Sequence, residues 1–179
     1  MKSRFLIPLL SLCLFSGPSL AENRHHDAHT HGAAELNIVI ENDTVLIEFE
    51  SPAVNLIGFE HKPRTDAQQL ELQKALALLN DVEIIVSFEK GECRVTETHI
   101  RGPFDNADQE EPEHGKREEH SEFHATYSLS CQDASVIGSV STRLFDHFPG
   151  FEAIRVRWVG SKGQGSALLN NQSTIFSIE

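Results

Sequence analysis

Long apolar segments are missing from this 179-residue sequence beyond its first 21 residues. A membrane-spanning helix needs about 20 consecutive apolar residues, so the rest of the chain is predicted to contain no transmembrane segment. The sequence also lacks a G-x-S-x-G motif, a Walker A motif and a dinucleotide-binding fingerprint. Nothing therefore indicates the common classes of serine hydrolase, nucleotide-binding protein or dehydrogenase.

Basic residues are few, because 15 lysines and arginines stand against 27 acidic residues and give a formal net charge of −12. Such a surface repels nucleic acids and anionic membranes, and it attracts cations. The composition therefore predicts no nucleic-acid partner and no membrane insertion, and it favours a cationic ligand.

Cysteine occurs three times, and only Cys93 and Cys131 lie beyond the N-terminal segment. An even pair in an exported protein indicates a disulfide. This one would close a loop of about 39 residues and stabilise the fold by about 4 kcal/mol. Zinc ligation by the two thiolates is the alternative, but the CxxC spacing of structural zinc sites is missing.

Residues 1–21 have the three parts of a secretory signal peptide. "MKSR" is basic, "FLIPLLSLCLF" is apolar but short, and "GPSLA" ends in small residues. An N-terminal membrane anchor would need a longer apolar core. Lipid attachment at Cys13 would need a small residue in place of Leu12. We therefore expect cleavage after Ala21 and export as a soluble protein.

The sequence predicts three parts. They are a signal peptide at 1–21, a His-rich N-terminal arm at 22–34, and a single α+β domain at 35–179. The domain includes a polar loop, rich in histidine and acidic residues, at 101–122. The arm and the polar loop have too few large apolar residues to bury themselves.

Alternating apolar and polar residues predict that most of the domain is β-sheet. The first two strands form a hairpin around Asn42 and Asp43, and further strands are expected at 82–88, 93–100, 123–131, 139–148, 152–159, 165–169 and in the final "STIFSIE". Residues 51–64 hold two prolines and a glycine and are expected to be an irregular connection.

One strong helix is predicted, with Thr65 as its N-cap, Gln68 completing a capping box, and an end near Asn80. The predicted fold class is α+β, a mainly antiparallel sheet of seven to eight short strands with one main helix. Either a single sheet with the helix packed on it or a small sandwich fits this pattern.

Histidines concentrate in two polar segments, with four in residues 25–31 and three in residues 114–124. Imidazole is the commonest nitrogen ligand of zinc, and neighbouring carboxylates add oxygen donors. No free thiol is expected and the one methionine is the start residue, so zinc is favoured over Cu(I). The candidate ligands are His29, His31, His120 and His124, followed by His25, His26 and His114, with Glu119 and Glu122 as oxygen donors.

The segment "HSEFH" at 120–124 differs from the zinc-protease motif, in which glutamate directly follows the first histidine on a helix. Here Glu122 comes two residues after His120. In a strand, His120 and His124 would lie about 13 Å apart, so they would share an ion only if the chain turned or folded back. We expect no catalysis. An interaction module that binds metal incidentally is the alternative function, and a zinc hydrolase is less favoured.

Three stretches resemble the ZrgA-type family of bacterial zinc-regulated periplasmic proteins: "HTHGAAELNIVIEND", "ESPAVNLIGFEHKPRTDAQ" and "LFDHFPGFEAIRVRWVGSKGQGSALL". The resemblance covers nearly all of the chain after residue 21, and "GFEH" and "FPG" are its most specific parts. It implies periplasmic zinc binding and a part in zinc acquisition alongside a zinc ABC transporter.

The same resemblance carries ligand roles onto His29 and His31, onto His61 of "GFEH", and onto the insert histidines His114, His120 and His124. His61 is thereby added to the candidate ligands. The insert is shorter and poorer in histidine than is often found in the family, which points to one or two defined sites. His99 and His147 stand alone and are expected to be ordinary surface or packed residues.

Overall fold

The computed structural model describes residues 30–105 and 121–178. The predicted signal peptide, most of the His-rich arm and residues 106–120 of the polar loop lie outside the described residues. The helices of the described part are α1 (Ala53–Ile57), α2 (Asp66–Leu79), α3 (Val82–Ile85) and α4 (Leu144–His147), with a 3₁₀ turn at Ala134–Val136. The strands are β1 (Ala33–Glu41), β2 (Thr44–Pro52), β3 (Ser87–Phe88), β4 (Cys93–Arg101), β5 (Glu122–Cys131), β6 (Ser139–Ser141), β7 (Ala153–Gly160), β8 (Gly163–Leu169) and β9 (Ile175–Ser177).

Two sheets organise the described residues. The larger has six strands in the order β4-β5-β2-β1-β7-β8, and the smaller has three in the order β3-β6-β9. Neighbouring strands are antiparallel except β1 and β7, which pair in parallel. The predicted α+β class with a mainly antiparallel sheet is confirmed, whereas the parallel pair was not expected.

Strict alternation in β1, β2 and β5 gives the larger sheet one buried face and one open face. Leu36, Ile47 and Phe123 point into the core, while the residues between them are exposed or partly exposed. Apolar side chains from the helices and the smaller sheet join the buried face in one cluster. We call the opposite side, which carries Glu48, Glu50 and His124, the open face.

The predicted N-cap of α2 at Thr65 is confirmed, whereas the second bond of the predicted capping box goes to the residue before Thr65. The backbone N–H of Gln68 donates to Thr65 Oγ1 at 3.2 Å, and the Gln68 side-chain oxygen accepts from the backbone N–H of Arg64 at 2.8 Å. At the other end of the helix, the buried Tyr127 hydroxyl donates to the carbonyl oxygen of Leu79 at 2.6 Å. Burial raises the pKa of Tyr127 well above its ordinary value, so this hydroxyl keeps its proton and fastens α2 to the sheet.

The prediction of a strand over 82–88 was wrong. Residues 82–85 form α3, capped by Asp81, whose side chain accepts from the backbone N–H of Glu83, and only Ser87 and Phe88 form a strand. Val82, Ile84 and Ile85 are all buried. A run of four residues is too short for its periodicity to distinguish a helix from a strand.

The prediction of a strand over 139–148 was also wrong beyond Ser141. Residues 144–147 form α4, and the backbone N–H of Leu144 at its start donates to the hydroxyl oxygen of Thr142. The irregular connection predicted at 51–64 contains α1. The described part has nine strands, whereas seven or eight were expected, and β3, β6 and β9 are only two or three residues long.

The predicted disulfide between Cys93 and Cys131 is present. It joins directly paired residues at one end of the β4–β5 hairpin, and the polar loop leaves from the other end, where Arg101 pairs with His124. The chain is therefore cross-linked at the base of this hairpin, as expected. No helix in the described residues, of which the longest has 14 residues, is long and apolar enough to cross a membrane.

Candidate metal centre

Five segments meet at one end of the larger sheet. Strands β1, β5 and β7 begin there, and β2 and β4 end there, as shown by the pairing of Pro52 with Glu122 and of Ala33 with Ala153. The first described residues of the His-rich arm and both described ends of the polar loop lie at this end. Ala33 and Ala34, expected in the arm, are already part of β1. The sheet therefore brings the attachment points of the two histidine-rich segments together.

Buried Asn55 fixes the point at which the arm enters the sheet. Its side-chain oxygen accepts from the backbone N–H of Gly32 at 2.7 Å, and its amide nitrogen donates to Ala33 O at 2.8 Å and to Ser51 Oγ at 3.1 Å. Gly150 packs on the Asn55 backbone so closely that a Cβ there would lie 2.4 Å from the carbonyl oxygen. The stretches "HTHG", "AVN" and "FPG" thus meet at one residue.

His31 lies just before this anchor and contacts the loop after α1. Its Nε2 is 3.4 Å from Glu60 Oε1, and both side chains are exposed. The backbone carbonyl oxygen of Glu60 accepts a hydrogen bond from the hydroxyl of Ser121 at 2.8 Å, and the carbonyl of Ser121 accepts one from Ala53 N at 2.7 Å. One loop therefore touches both the arm and the far end of the polar loop.

His124 lies between two carboxylates on the open face. Its Nδ1 is 3.1 Å from Glu50 Oε1 and its Nε2 is 3.5 Å from Glu122 Oε2. Glu50 is the direct cross-strand partner of His124 in the β2–β5 pair, and Glu122 lies two residues before His124 on the same strand face. The three side chains are 27%, 31% and 16% exposed for His124, Glu50 and Glu122, so they are accessible but partly desolvated.

The other described histidines have different surroundings. The ring of His61 stacks on Phe59 with centroids 5.2 Å apart, and its Nδ1 lies 2.9 Å from the carbonyl oxygen of Lys62. A carbonyl oxygen can only accept, so this contact places a hydrogen on Nδ1. The lone pair of a neutral His61 ring is then on Nε2, which is the atom that could bind a metal. His99 is exposed on β4, and Nε2 of His147 lies 3.5 Å from Nη2 of Arg143.

Glu50 is the contact that sequence reasoning missed. The alternation of β2 indicates that Glu50 faces away from the core, but it does not reveal which strand lies beside it. Only the register of β2 against β5 places Glu50 opposite His124. The candidates His25, His26, His29, His114, Glu119 and His120 lie outside the described residues.

The donors present in the described part are suited to zinc without yet enclosing it. Imidazole nitrogens beside carboxylate oxygens match the ligand preference of Zn²⁺. Within residues 30–105 and 121–178, no group of three or more histidine, cysteine or acidic side chains is already arranged to hold an ion. His31 with Glu60, and His124 with its two glutamates, are therefore separate partial sites at the same end of the sheet.

Imidazole nitrogens paired with carboxylate oxygens, on an acidic chain, are the types of ligand atom that proteins binding divalent cations use. Comparison with protein-family models is more specific: residues 28–178 match the model described as ZrgA family zinc uptake protein. The chain belongs to this family, and the resemblance noted in its sequence is confirmed. No curated protein matches the chain significantly.

Proposed function

We propose that this protein captures zinc in the periplasm and supports its delivery to a high-affinity zinc importer. Membership of a zinc uptake family supports the zinc part of the proposal. The basic, apolar and small-residue pattern of residues 1–21 supports export. One structural observation carries the proposal: His31 and His124 come from opposite halves of the chain, and each lies beside a carboxylate at the same end of the sheet.

The ligand set follows from that observation. Ser121 and Glu60 join the end of the polar loop to the segment beside His31. Neighbouring histidines of both segments can then complete the coordination of an ion that begins at His31 or His124. The proposed ligands are His29, His31, His120 and His124, with His25, His26, His61 and His114 as further nitrogen donors and Glu119 and Glu122 as oxygen donors.

Partial exposure of these donors suits capture and release. A zinc ion enclosed by four protein ligands is a structural element of the fold, whereas an importer must be able to remove the ion. The side chain of His31 is 69% exposed and that of His124 is 27% exposed, so a partner can reach both. The net negative charge raises the local concentration of cations around the protein. The proposal includes no catalytic step.

The first test is isothermal titration of zinc into the protein purified from the periplasm. We expect at least one ion to bind, and an increase in thermal stability because the ligand binds the folded state. Changing His29, His31, His120 and His124 together to alanine should weaken binding by at least tenfold. A matched control changes His99 and His147 to alanine and should leave affinity unchanged. Undiminished binding by the fourfold variant would overturn the ligand assignment.

The second test addresses delivery. Cells that lack this protein should grow more poorly under zinc chelation. Cells that lack both this protein and the zinc ABC transporter should grow no more poorly than cells that lack the transporter alone. Zinc loaded onto the purified protein should pass to the transporter's periplasmic component. An additive growth defect in the double deletion would argue against a shared route.

An interaction module remains the alternative function, and one observation favours it. Leu46 of β2, Val39 of β1 and Val159 of β7 are neighbours across three strands on the open face. Each is about two-fifths exposed. A contiguous apolar row of this kind is a feature of binding surfaces. Weak zinc binding with no change in thermal stability would favour the module over the zinc carrier.

A further inference from the structure

We propose that Glu50 is a positioning residue that holds the hydrogen of neutral His124 on Nδ1. The Nε2 lone pair of His124 is then the atom that binds a divalent cation. The inference rests on the proposed zinc binding and deepens it, because it assigns the ligand atom of His124 and adds a residue outside the predicted ligand set.

The two contacts of the imidazole are unequal. The 3.1 Å separation of Nδ1 from Glu50 Oε1 lies within the range of an N–H···O hydrogen bond, and the 3.5 Å separation of Nε2 from Glu122 Oε2 lies beyond it. A neutral imidazole has one N–H. That hydrogen therefore belongs on Nδ1, where it is donated to Glu50.

This tautomer directs the Nε2 lone pair toward the carboxylate of Glu122. Nε2 and Glu122 Oε2 lie 3.5 Å apart. Two donors bound to tetrahedral zinc at about 2.0–2.2 Å lie about 3.3–3.6 Å from one another. The observed separation already matches this value. Two protein donors leave the other coordination positions to water or further side chains.

The backbone fixes this arrangement. Glu50 and His124 are directly paired in the β2–β5 ladder, with Glu122 on the same face two residues away. Donors on strands are held more exactly than donors on loops. A carboxylate that accepts the second ring N–H of a metal-bound histidine fixes the ring orientation and raises its basicity. Glu50 is placed to have this role.

Nearby charged residues do not compete with Glu50 for the position beside Nδ1 of His124. Glu35 faces Glu50 across the β1–β2 pair, but it is ion-paired with Arg155 and lies 2.9 Å from Nη1 of Arg157. Arg101 pairs with His124 from the β4 side and is exposed. Glu50 is therefore the carboxylate available to the Nδ1 side of the ring.

The experiment compares Glu50→Ala and Glu50→Gln with Glu48→Gln, a control on the same strand and face. ¹⁵N NMR of the metal-free protein at neutral pH reports the tautomer of His124, whose signals are identified as those missing from His124→Ala. Competition with a chelator reports zinc affinity. We expect the Nδ1–H tautomer in the unaltered protein and in Glu48→Gln.

Glu50→Ala should lose the tautomer preference and bind zinc about 10- to 100-fold more weakly. Glu50→Gln keeps an oxygen acceptor, so it should retain the tautomer with a smaller loss of affinity. It also keeps the test valid if the alanine variant does not fold. An Nε2–H tautomer, or an imidazolium shared by both glutamates in the metal-free protein, would overturn the inference. So would equal zinc affinities for Glu50→Ala and Glu48→Gln.

The two proposals fail in different ways. If the unaltered protein binds no zinc, the proposed function is wrong and the donor role of His124 falls with it. If the unaltered protein binds zinc, and His124→Ala weakens binding while Glu50→Ala does not, only the role of Glu50 is wrong.

Discussion

The hydroxyl of Ser121 donates a 2.8 Å hydrogen bond to the carbonyl oxygen of Glu60, whose own carboxylate faces His31. This contact joins the start of β5 to the loop after α1. It thereby connects the described residues of the two histidine-rich segments at one end of the sheet.

Ser121→Ala should loosen this connection. A hydrogen bond of this kind contributes about 0.5–1.5 kcal/mol, so chemical denaturation should show a loss of that size. If the two segments act on one ion, zinc affinity should fall as well. Ser130→Ala, at the opposite end of β5, is the control and should leave affinity unchanged.

Asn55→Ala should be strongly destabilising because it removes three hydrogen bonds from a buried position. The N–H of Gly32 and the carbonyl of Ala33 would lose their partners, at about 1–3 kcal/mol for each unsatisfied group. Urea denaturation measures the loss. Asn55→Asp keeps the acceptor for Gly32 but turns a carboxylate oxygen toward the carbonyl of Ala33 in a buried site, so it should be destabilising as well. Unchanged stability in Asn55→Ala would show that these hydrogen bonds are unimportant.

Replacing Cys93 and Cys131 together with serine should lower the free energy of unfolding by about 4 kcal/mol. Zinc stoichiometry should stay the same, because both sulfur atoms are engaged in the disulfide. Thermal denaturation and zinc titration of the same sample separate these effects. A loss of bound zinc from a variant that remains folded would instead indicate thiolate ligands.

Tyr127 should make the protein sensitive to strong alkali. Burial raises its pKa in the folded state, so the unfolded chain loses this proton first. Protonated Tyr127 makes its full contribution to the free energy of unfolding below about pH 10, the ordinary pKa of tyrosine. This contribution declines as the pH rises further. Tyr127→Phe should be about 1 kcal/mol less stable at neutral pH and should lack this part of the alkaline decline, measured by denaturation between pH 8 and 11.

Zinc affinity should decrease as the pH falls below about 6. Protons compete with the metal for imidazole nitrogen, so each histidine ligand adds to the steepness of the decline. Titrations at several pH values measure it. The fourfold histidine variant should show a shallower dependence, and an equally steep one would place the ligands elsewhere.

Local patterns predicted the elements whose signals are local. The β1–β2 hairpin follows from alternation around Asn42, and α2 follows from the Thr65 N-cap. The run at Val82–Ile85 was misassigned because four residues are too few to show a helical period. Neither the parallel β1–β7 pair nor the contact of Glu50 with His124 could be predicted, because both depend on which distant strands become neighbours.

The cross-link at Cys93 and Cys131 has a consequence for how metal capacity can change. Long strand pairing holds the β4–β5 hairpin together between the cross-link and the polar loop. We therefore expect a longer connection between these two strands to cost mainly loop entropy, about 0.6 kcal/mol for each doubling of loop length. If the protein carries zinc as proposed, histidines added to or removed from this connection should change the number of bound ions while the paired strands stay the same.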